Sequence, residues 1–527
     1  MTIQLGAVDY IIIALYFAAV FWVAKKVTNK DGGEDYFLAG RNLGWFAIGA
    51  SLFASNIGSE HLIGLAGAGA KSGVAVSQFE ILAGFILLML GWVFVPFYLK
   101  SGVTTMPEFL EIRYGRSARN YLSFISVVAY VITKISATIF AGAVVFEAIG
   151  LPFWVGAGVT VIFTGIYTVM GGLKAVIYTD AIQVVIMIVG AIFVSILGLN
   201  ALGGIGEFKA VIEPEFFNMW KSSSHSEFPW TGILFGAPIL GVWYWCTDQF
   251  IVQRVLSAKN LTQARKGTIF AGYLKMLPMF LFVFPGMIAY ALSQKGMLVL
   301  PKADMALPAL IAKVLPLGIK GLVIAGLLAA LMSSLSSVFN SCSTLITYDW
   351  YKVRNPNATE KDLFKVGQIS TVVLVILGIV WIPLMKLVSG GLFTYIQSIQ
   401  AYISPPIAAV FLLGLFIKRL NLTGAMLSLG GGFLIGVARL LAEINKDSLS
   451  GIMYEFATIN FLHFALFLFV VCSVILILGS LLAPAPDAEK IAKVTYHKID
   501  EGSDRKTDAI LSIVLVIMIL ILWAWFS

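Results

Sequence analysis

Long apolar runs recur along the whole chain and constrain its fold more than any other feature. A membrane-spanning helix needs about 20 apolar residues, and the 527-residue chain holds enough runs for about fourteen spans. Their approximate bounds are 8–25, 43–70, 74–99, 121–149, 151–170, 177–202, 229–253, 267–293, 308–350, 366–388, 392–416, 421–443, 455–482 and 507–526. Charged residues form 12% of the chain, against roughly 25% in soluble domains. The sequence therefore predicts an all-α integral membrane protein with about fourteen transmembrane helices.

The first apolar run is predicted to span the membrane and not to be a cleaved signal peptide. Acidic Asp9 precedes it, and Lys25 and Lys26 follow it, whereas a signal peptide carries its positive charge before the apolar stretch. The run 308–350 is long, and we expect it to begin with an external or interfacial piece before the span.

The basic residues are distributed unevenly between the loops on the two sides of the predicted bundle. Of the 36 lysines and arginines, 24 fall in odd-numbered loops and 10 in even-numbered loops. Basic residues collect in cytoplasmic loops, which accounts for the net charge of +8 without a nucleic-acid partner. The bias predicts a multi-pass protein of the cell (inner) membrane with both termini on the extracytoplasmic side.

Two of the predicted helices contain polar or aromatic stretches that indicate breaks. The second helix contains ASNIGSEH at 54–61, and the seventh contains WYWCTDQ at 243–249. Unwound backbone at membrane depth is tolerated only where it lines a cavity, and paired broken helices point to the binding site of a transporter. The two breaks lie five helices apart, as two inverted repeats of five helices require.

This offset divides the single transmembrane transporter domain, 1–527, into four parts. Residues 8–42 form an extra first helix and its loop, and 43–202 form the first inverted repeat. Residues 229–416 form the second inverted repeat, and 421–527 supply extra C-terminal helices.

Ionisable residues inside the apolar runs are costly in lipid, so each one needs a reason. Lys275 could donate to a hydroxyl-rich ligand or pair with a buried carboxylate. Glu80 could accept from sugar hydroxyls, bond to a neighbouring helix, or pair with Lys275. His61 could donate to a substrate or be a satisfied core histidine. The other candidates are Glu60, Lys134, Asp180 and Asp248.

Hydroxyl side chains concentrate in the ninth predicted helix, between Ser333 and Thr344. They can bond to their own backbone and let helices approach closely. They can also bind sodium, a hard cation that takes oxygen ligands, together with carbonyls freed at the break near Ala54 and Ile57. The sequence leaves both interpretations open. The aromatic residues that could stack on a ring, or simply fill the core, are Phe79, Tyr244, Trp245 and Phe393.

Four longer stretches carry a specific resemblance. They are GASLFASNIGS at 49–59, GGLKAVIYTDAIQ at 171–183, WYWCTDQ at 243–249 and YIQSI at 395–399. With these motifs the chain resembles, over nearly its whole length, sodium/glucose cotransporters of the solute:sodium symporter family, in a bacterial-type form. The resemblance implies a LeuT-type core of two inverted five-helix repeats within fourteen helices.

The resemblance also implies the ligands of the two substrates. The main sodium site would use backbone oxygens of Ala54, Ile57 and Ala330 and the hydroxyls of Ser333 and Ser334. A possible second sodium would lie near Asp180, Ser336 and Ser337. The sugar site would comprise Asn56, His61, Glu80, Tyr244, Trp245, Lys275 and Gln397. Tyr244 would also serve as an inner gate beneath the sugar ring, with Leu65, Phe79 and Phe393 as an outer hydrophobic gate.

Four positions bear on which substrate and how many ions are carried. Glu60 stands where animal members have glycine and bacterial relatives have glutamate, and Gly241 and Gln400 replace hydroxyl residues near the sugar. Glucose, galactose and a polyol such as inositol therefore remain open. Ala330 resembles the one-sodium bacterial type, so one and two sodium ions per sugar also remain open.

We expect sodium-coupled symport of a glucose- or galactose-like monosaccharide by alternating access. Its partners would be the sugar, the sodium ion and the lipid bilayer, with no nucleic acid and no obligatory protein partner indicated. The alternatives are a sodium symporter for inositol, a carboxylate or another small polar solute, and a sodium-dependent sugar sensor. An enzyme is not expected, because no nucleophile–base pair or metal-ligand cluster is legible.

Overall fold

The computed structural model describes residues 3–27, 37–385, 392–497 and 505–527, which form helices and no β-strand. The predicted loop residues Lys30, Lys386 and Lys498 lie outside these ranges. The longer α-helices are Ala7–Val27, Trp45–Asn56, Gln78–Met89, Arg116–Tyr130, Ser136–Ala148, Phe153–Leu202, Leu261–Leu274, Phe284–Gln294, Ile319–Leu345, Glu360–Met385, Leu392–Phe416, Leu422–Ile444, Phe461–Leu481 and Arg505–Trp525. The shorter ones are Ala66–Ser72, Val95–Ser101, Met106–Arg113, Ile205–Val211, Trp230–Phe235, Ala237–Gly241, Gln249–Leu256, Ala306–Val314, Lys352–Arg354, Gly451–Thr458 and Ala488–Ile491.

Short π-helical segments, in which the backbone bonds to the fifth residue along, interrupt several of the spanning helices. They are Glu60–Leu65, Leu90–Phe94, Val131–Ile135, Val242–Thr247, Met279–Val283 and Ile346–Tyr351. Such bulges are frequent at functional sites. Short 3₁₀ turns at Ala39–Arg41, Gly73–Ser77, Pro214–Phe217, Ala303–Met305, Lys446–Ser448 and Ala492–Val494 lie mostly between the longer helices.

Within the described ranges, eleven helices are long and apolar enough to cross a membrane. The chain is thus a multi-pass, all-α membrane protein. Three of the fourteen predicted helices are not among these eleven. Two of them are the predicted broken helices, 43–70 and 229–253, whose interruptions leave pieces shorter than a full span. The third, 151–170, falls in the first part of the element Phe153–Leu202, of which only Ala175–Leu202 is counted among the eleven.

The predicted helices 151–170 and 177–202 form one continuous element, Phe153–Leu202. This element cannot be straight. The Phe163 ring lies 5.2 Å from the ring of Phe17, while Gln183 donates to the hydroxyl of the adjacent Tyr16 at 3.1 Å. Residues as far apart in sequence as Phe163 and Gln183 would lie about 30 Å apart along a straight helix. The chain therefore changes direction between them.

The helix Ile319–Leu345, called here the serine helix, lies at the centre of the bundle. The most apolar part of the span Ile319–Arg354, which contains this helix, is 94% buried. The corresponding parts of the first and last spans are 22% buried. Since so little of this stretch is exposed, the serine helix contacts protein on nearly every side. The helix Ala306–Val314 precedes it as a separate piece, so the run 308–350 is not one continuous helix; that this piece is external or interfacial stays a prediction.

Glycines allow the helix Trp45–Asn56 to pack closely on the helix Leu261–Leu274. A Cβ added at Gly49 would lie 2.8 Å from the carbonyl oxygen of Gly267, and one added at Gly267 would lie 2.7 Å from the side chain of Ile48. These two helices end at the first break and at Lys275. Their close packing therefore fixes the relative position of two parts of the candidate site.

Candidate functional site

Both predicted helix breaks are confirmed. The helix Trp45–Asn56 ends at Ile57, whose backbone is extended at φ −74° and ψ 103°, and a π-helical segment follows from Glu60. The second break falls at Asp248, which is extended at ψ 126° and accepts a hydrogen bond from the backbone N–H of Phe250 at 3.3 Å. Helix ends thus leave free backbone groups inside the bundle.

Lys275 lies at the centre of a buried polar cluster between these breaks. Its ammonium group donates to the amide oxygen of Asn56 and forms an ion pair with Glu80. His61 lies 3.1 Å from the other carboxylate oxygen of Glu80, and the Asn56 amide donates to the Tyr244 hydroxyl at 2.9 Å. The structure thus contains the Lys275–Glu80 pair that was one of the open alternatives, and the pair bonds directly to residues from the first break.

A second charged pair continues the network beyond Tyr244. Lys134 donates to the Tyr244 hydroxyl at 3.2 Å and lies 4.2 Å from the centre of its ring. It also lies 3.8 Å from a carboxylate oxygen of Glu60, which accepts from the Gln400 amide at 3.5 Å. The buried cluster therefore holds two lysines and two glutamates, so its formal charges balance.

A cavity adjoins this network and contains most of the predicted sugar-site residues. The space open to the centres of water molecules is about 60 Å³, enough for a few waters at about 10–15 Å³ each. Its lining includes Phe79 of the predicted outer gate and six of the predicted sugar-site residues, Asn56, Glu80, Tyr244, Trp245, Lys275 and Gln397. His61 is buried beside Glu80 but is not part of the lining. Glu60, Gly241 and Gln400, the departures noted in the sequence, do line the cavity.

An aromatic cluster separates this cavity from a second one of about 260 Å³. The ring of Phe79, which lines the first cavity, lies 5.4 Å from Phe393 and 6.1 Å from Phe228, and both of these line the second. Phe461 stacks on Phe79 at 6.4 Å. Leu65, the third residue of the predicted outer gate, is buried in the π-helical segment after the first break.

Three residues predicted for the two sodium sites, Asp180, Ser333 and Ser337, belong to one hydrogen-bonded cluster around Asp180. Its carboxylate accepts hydrogen bonds from Ser333, from Ser51 at 2.7 Å and from Ser55 at 3.2 Å. Ser55 also lies 3.0 Å from the Ser337 hydroxyl. These contacts join the first broken helix, the helix Phe153–Leu202 and the serine helix.

Other predicted sodium ligands take different positions around this cluster. Ser336 donates to the backbone carbonyl of Ser333 at 3.0 Å, within its own helix. Ser334 faces the first break closely, because a Cβ added at Gly58 would lie 2.8 Å from its hydroxyl. Ala54 and Ala330 are buried, as is Ile57, whose N–H bonds to Phe53 at 3.0 Å.

A separate set of hydrogen bonds and ion pairs lies near Asp349, just beyond the C-terminal end of the serine helix. Arg119 donates to Asp349 at 2.7 Å and to Glu111 at 2.5 Å. Thr105 donates to the same carboxylate oxygen of Asp349 at 2.9 Å. Gln249, the first residue of the helix after the second break, accepts from the backbone N–H of Met106 at 2.8 Å.

The sequence prediction of the site omitted several residues that the structure places there. Lys134 and Glu60 were noted as costly charges within apolar runs, but nothing in the sequence showed that they pair. Ser51 and Ser55 lie within the motif 49–59, and their four-residue spacing puts both on one helix face. Arg254, which donates to Ser51 at 3.0 Å, gave no comparable signal, because it follows the apolar run 229–253 and reads as a loop charge.

Comparisons with known proteins agree on the class of this chain. The family model described as "Sodium:solute symporter family" matches residues 36–432. Sodium/glucose cotransporter 1 of Mus musculus is 42% identical over 529 residues, covering 92% of this chain and 80% of the mouse protein. The sodium/myo-inositol cotransporter of Homo sapiens is 39% identical over 549 residues, covering 94% of this chain and 76% of the human protein.

Two solved structures share the fold. One is a Na⁺-coupled sialic acid symporter in a substrate-bound, outward-open state, with a TM-score of 0.78 and 23% identity, covering 91% of this chain and 99% of that one. The other is Mhp1, a nucleobase-cation-symport-1 family transporter, in a closed conformation, with a TM-score of 0.55 and 14% identity, covering 89% of this chain and 99% of that one.

Proposed function

Because the chain belongs to the sodium:solute symporter family, we propose that it carries a neutral, hydroxyl-rich monosaccharide across the membrane together with sodium. It is a membrane transporter of that family and not an enzyme. The observation that carries the choice of substrate is the buried cluster in which Lys275 bonds to both Asn56 and Glu80 beside a cavity. Relatives named for glucose and for myo-inositol transport support the same class.

The charge balance of the cluster favours a neutral solute over a carboxylate. Lys275 is paired with Glu80, and Lys134 lies 3.8 Å from Glu60. A buried anion needs a partner of opposite charge, and both lysines already have one. A sugar instead offers donors and acceptors, so it can replace the bonds that these side chains make to one another without leaving a charge unpaired.

We propose that the sugar-binding residues are Asn56, His61, Glu80, Tyr244, Trp245, Lys275 and Gln397. The cavity beside them is small, so binding requires their side chains to separate and to bond to the sugar hydroxyls. An unpaired buried polar group costs about 1–3 kcal/mol. A solute that leaves one of these groups without a hydrogen bond therefore binds less tightly.

Sodium is the coupling ion in this proposal. Its main site is formed by Ala54, Ile57, Ala330, Ser333 and Ser334. Sodium takes oxygen ligands, and support comes from the helix end at Asn56, which frees carbonyl groups, and from its close approach to the serine helix.

A second sodium, if carried, would bind at Asp180 with Ser336 and Ser337. The proposal leaves the number of ions per sugar to measurement. The hydrogen bond from Ser333 to Asp180 links the two sets of ligands, so both would respond to the same movement of the serine helix.

The transport cycle follows from these positions. Sodium bound between the first break and the serine helix fixes Asn56 and the residues after it in the form that binds sugar. Each ligand must then raise the affinity of the other by the same factor. Closure of the outer gate, formed by Leu65, Phe79 and Phe393, encloses the sugar. Release to the other side requires the ring of Tyr244 to move.

The detailed architecture is part of the proposal. We propose fourteen transmembrane helices with a LeuT-type core, the first repeat over 43–202 and the second over 229–416. Residues 8–42 and 421–527 lie outside the repeats. The two breaks, at corresponding places in the two repeats, support this division, and the distribution of basic residues supports an inner-membrane location with both termini outside.

Uptake of labelled glucose into proteoliposomes tests the proposal. We expect accumulation only when sodium is higher outside, and we expect none when potassium replaces sodium. Uptake that is equal with both ions would refute coupling. A competition panel of hexoses, inositols and sialic acid identifies the substrate: inhibition by inositol alone would favour the polyol, and inhibition by sialic acid alone would refute a neutral substrate.

A sodium-dependent sugar sensor remains the second candidate. It would bind both ligands and pass sugar-evoked current without accumulating sugar. Parallel recording of current and uptake distinguishes the two functions.

A further inference from the structure

The first helix, Ala7–Val27, lies outside the two proposed repeats but packs against two of the three helices that form the cluster around Asp180. Only 22% of the most apolar part of this span is buried. Its buried side chains recur at spacings of seven, four and four residues, and they are Asp9, Tyr16, Val20 and Ala24. Such spacings place all four on one narrow face of a helix. The contacts of this face therefore indicate what the first helix does.

Asp9 holds the first helix to the start of the serine helix. Its carboxylate accepts hydrogen bonds from the backbone N–H groups of Gly318 at 2.8 Å and Gly321 at 2.6 Å, and from that of Gly6 at 2.8 Å. The first N–H groups of a helix have no partner within the helix, and a negative charge beside them is favourable. A Cβ added at Gly321 would lie 2.7 Å from the backbone oxygen of Asp9. The two backbones are thus in contact, and the N-terminal end of the serine helix is anchored to the first helix.

Tyr16, about two turns after Asp9, holds the first helix to the helix that carries Asp180. The buried amide of Gln183 donates to the Tyr16 hydroxyl at 3.1 Å. Gln183 follows Asp180 by three residues, which is less than one helical turn. The amide oxygen of Gln183 has no hydrogen-bond partner among the described residues. Within that part of the chain, Tyr16 is therefore the group that fixes the Gln183 side chain by a hydrogen bond.

Apolar contacts connect the first helix to both partners at once. One buried cluster is formed by side chains of all three helices, namely Tyr16, Val20 and Ala24 of the first helix, Ala175 of the helix Phe153–Leu202, and Ala325, Ala329 and Met332 of the serine helix. Small side chains such as alanine allow membrane helices to approach closely. Ala329 and Met332 directly precede Ala330 and Ser333, two of the proposed sodium ligands. The first helix therefore packs beside the stretch of the serine helix that carries these ligands.

The backbone of the helix Phe153–Leu202 does not by itself fix the position of Asp180. The contacts of Phe163 and Gln183 with neighbouring residues of the first helix require the chain to change direction between them. Asp180 lies within this stretch, so its position depends on contacts with other helices as well as on its own helix. The hydrogen bond between Gln183 and Tyr16 supplies such a contact within one turn of Asp180.

We propose that the first helix sets the distance between Asp180 and the serine helix, and thereby the affinity of this cluster for sodium. Tyr16 and Gln183 are then positioning residues, which act on the ion through Asp180 and do not bind it. Removing a group that orients a metal ligand weakens metal binding, because the ligand oxygens must lie at a fixed distance from the ion. The proposal rests on the proposed sodium coupling and gives a role in it to a helix outside the repeats.

Sodium-dependent thermal stability of the detergent-purified protein tests this role without sugar, with choline replacing sodium to keep the ionic strength constant. The dissociation constant for sodium is fitted to the rise of the melting temperature with sodium concentration. We expect it to increase about fivefold in Tyr16→Phe and in Gln183→Leu, the effect of losing one neutral hydrogen bond. Tyr16→Phe keeps the ring and its apolar packing. The matched control is Tyr10→Phe, at a 57% exposed tyrosine of the same helix, which should bind sodium as the wild type does.

The double variant Tyr16→Phe/Gln183→Leu distinguishes positioning from a general structural role. If the two residues act through their shared bond, it should raise the dissociation constant about fivefold, as each single change does, and not about 25-fold. Additive effects, or a lower melting temperature without sodium at an unchanged dissociation constant, would overturn the proposal. A wild-type protein that sodium does not stabilise would refute the proposed coupling itself, and this inference with it. Unchanged sodium affinity in Tyr16→Phe, when the wild type does respond, would refute only the role of the first helix.

Discussion

Lys275 and Glu80 form the buried ion pair from which the sugar-site proposal starts, and the pair admits two roles. It can stabilise the fold, or it can hold groups that a sugar replaces. Removing one partner of a buried pair leaves an uncompensated charge and typically destabilises by about 3–5 kcal/mol. A single substitution therefore cannot separate the two roles, whereas a double substitution can.

We expect Lys275→Gln and Glu80→Gln each to lower sodium-driven sugar uptake at least tenfold, because each loses a donor or acceptor for the sugar and leaves a charge unpaired. The double variant removes both charges together. We expect it to regain thermal stability without regaining uptake, as measured by melting temperature and proteoliposome assay. Recovery of uptake in the double variant would show that the pair is only structural.

Serine hydroxyls that differ in their contacts provide a test of the sodium cluster. Ser333 donates to Asp180, whereas Ser341, two turns along the same helix, donates to the backbone carbonyl of Ser337 at 2.9 Å. We expect Ser333→Ala to raise the sodium concentration for half-maximal uptake about tenfold, because a ligand oxygen and a bond to Asp180 are lost.

Ser341→Ala is the matched control for this change, because Ser341 is not a proposed sodium ligand. We expect it to shift the sodium dependence less than Ser333→Ala does, because its hydroxyl is turned to its own backbone. The measurement is uptake against sodium concentration at fixed sugar. Equal shifts in the two variants would contradict the arrangement seen around Asp180.

At the scale of elements, the site depends on how closely the first break approaches the serine helix. Gly58 lies at this contact, and a Cβ there would meet the Ser334 hydroxyl at 2.8 Å. Real Cβ atoms do not tolerate such a distance from a packed neighbour, so one of the two elements must move. The glycine is thus required by the tertiary contact and not by the conformation of its own backbone.

We expect Gly58→Ala to raise the sodium concentration for half-maximal uptake about tenfold while the protein still folds. The added methyl group would separate the carbonyl ligands from the hydroxyl ligands. Gly158→Ala is the control, because a Cβ at that helical position meets nothing within 4 Å. It should leave uptake unchanged. If Gly58→Ala also transports with normal sodium dependence, the sodium site does not lie between these elements.

At the scale of the whole molecule, the orientation of the protein in the membrane decides at which of its two ends sodium enters. The basic loops predict that both termini are outside, which places the Arg119–Asp349 network on the cytoplasmic side and the cavity behind Phe393 on the outer side. The contacts within the protein are the same in either orientation. Labelling from one side of the membrane is therefore needed.

A cysteine introduced at the C-terminus reports this orientation. We expect Ser527→Cys in intact cells to react with a membrane-impermeant maleimide, because the terminus is proposed to be outside. The native cysteines Cys246, Cys342 and Cys472 are buried, so the wild-type protein is the control for background labelling. Reaction only after the cells are made permeable would reverse the proposed orientation.

Much of this protein could be predicted from the sequence, because the responsible forces act locally along the chain. Apolar runs predict spanning helices, since lipid requires every backbone group to bond within its own segment. The polar stretches at 54–61 and 243–249 predict both breaks, because unwound backbone at membrane depth is tolerated only where it lines a cavity. The sequence did not show that the predicted helices 151–170 and 177–202 continue into one another as the element Phe153–Leu202, because a change of direction within a continuous helix leaves the apolar pattern unaltered.

Only the tertiary structure decided which polar groups meet. Lys275 and Glu80 are 195 positions apart, and Ser55 and Ser337 are 282 apart, so no local pattern links them. The sequence determined that buried charges exist and that their cost in lipid demands partners. Whether a given lysine finds a carboxylate, a hydroxyl or an aromatic ring depends on how distant helices pack, and that packing brought both helix breaks, the serine helix and Lys275 around one site.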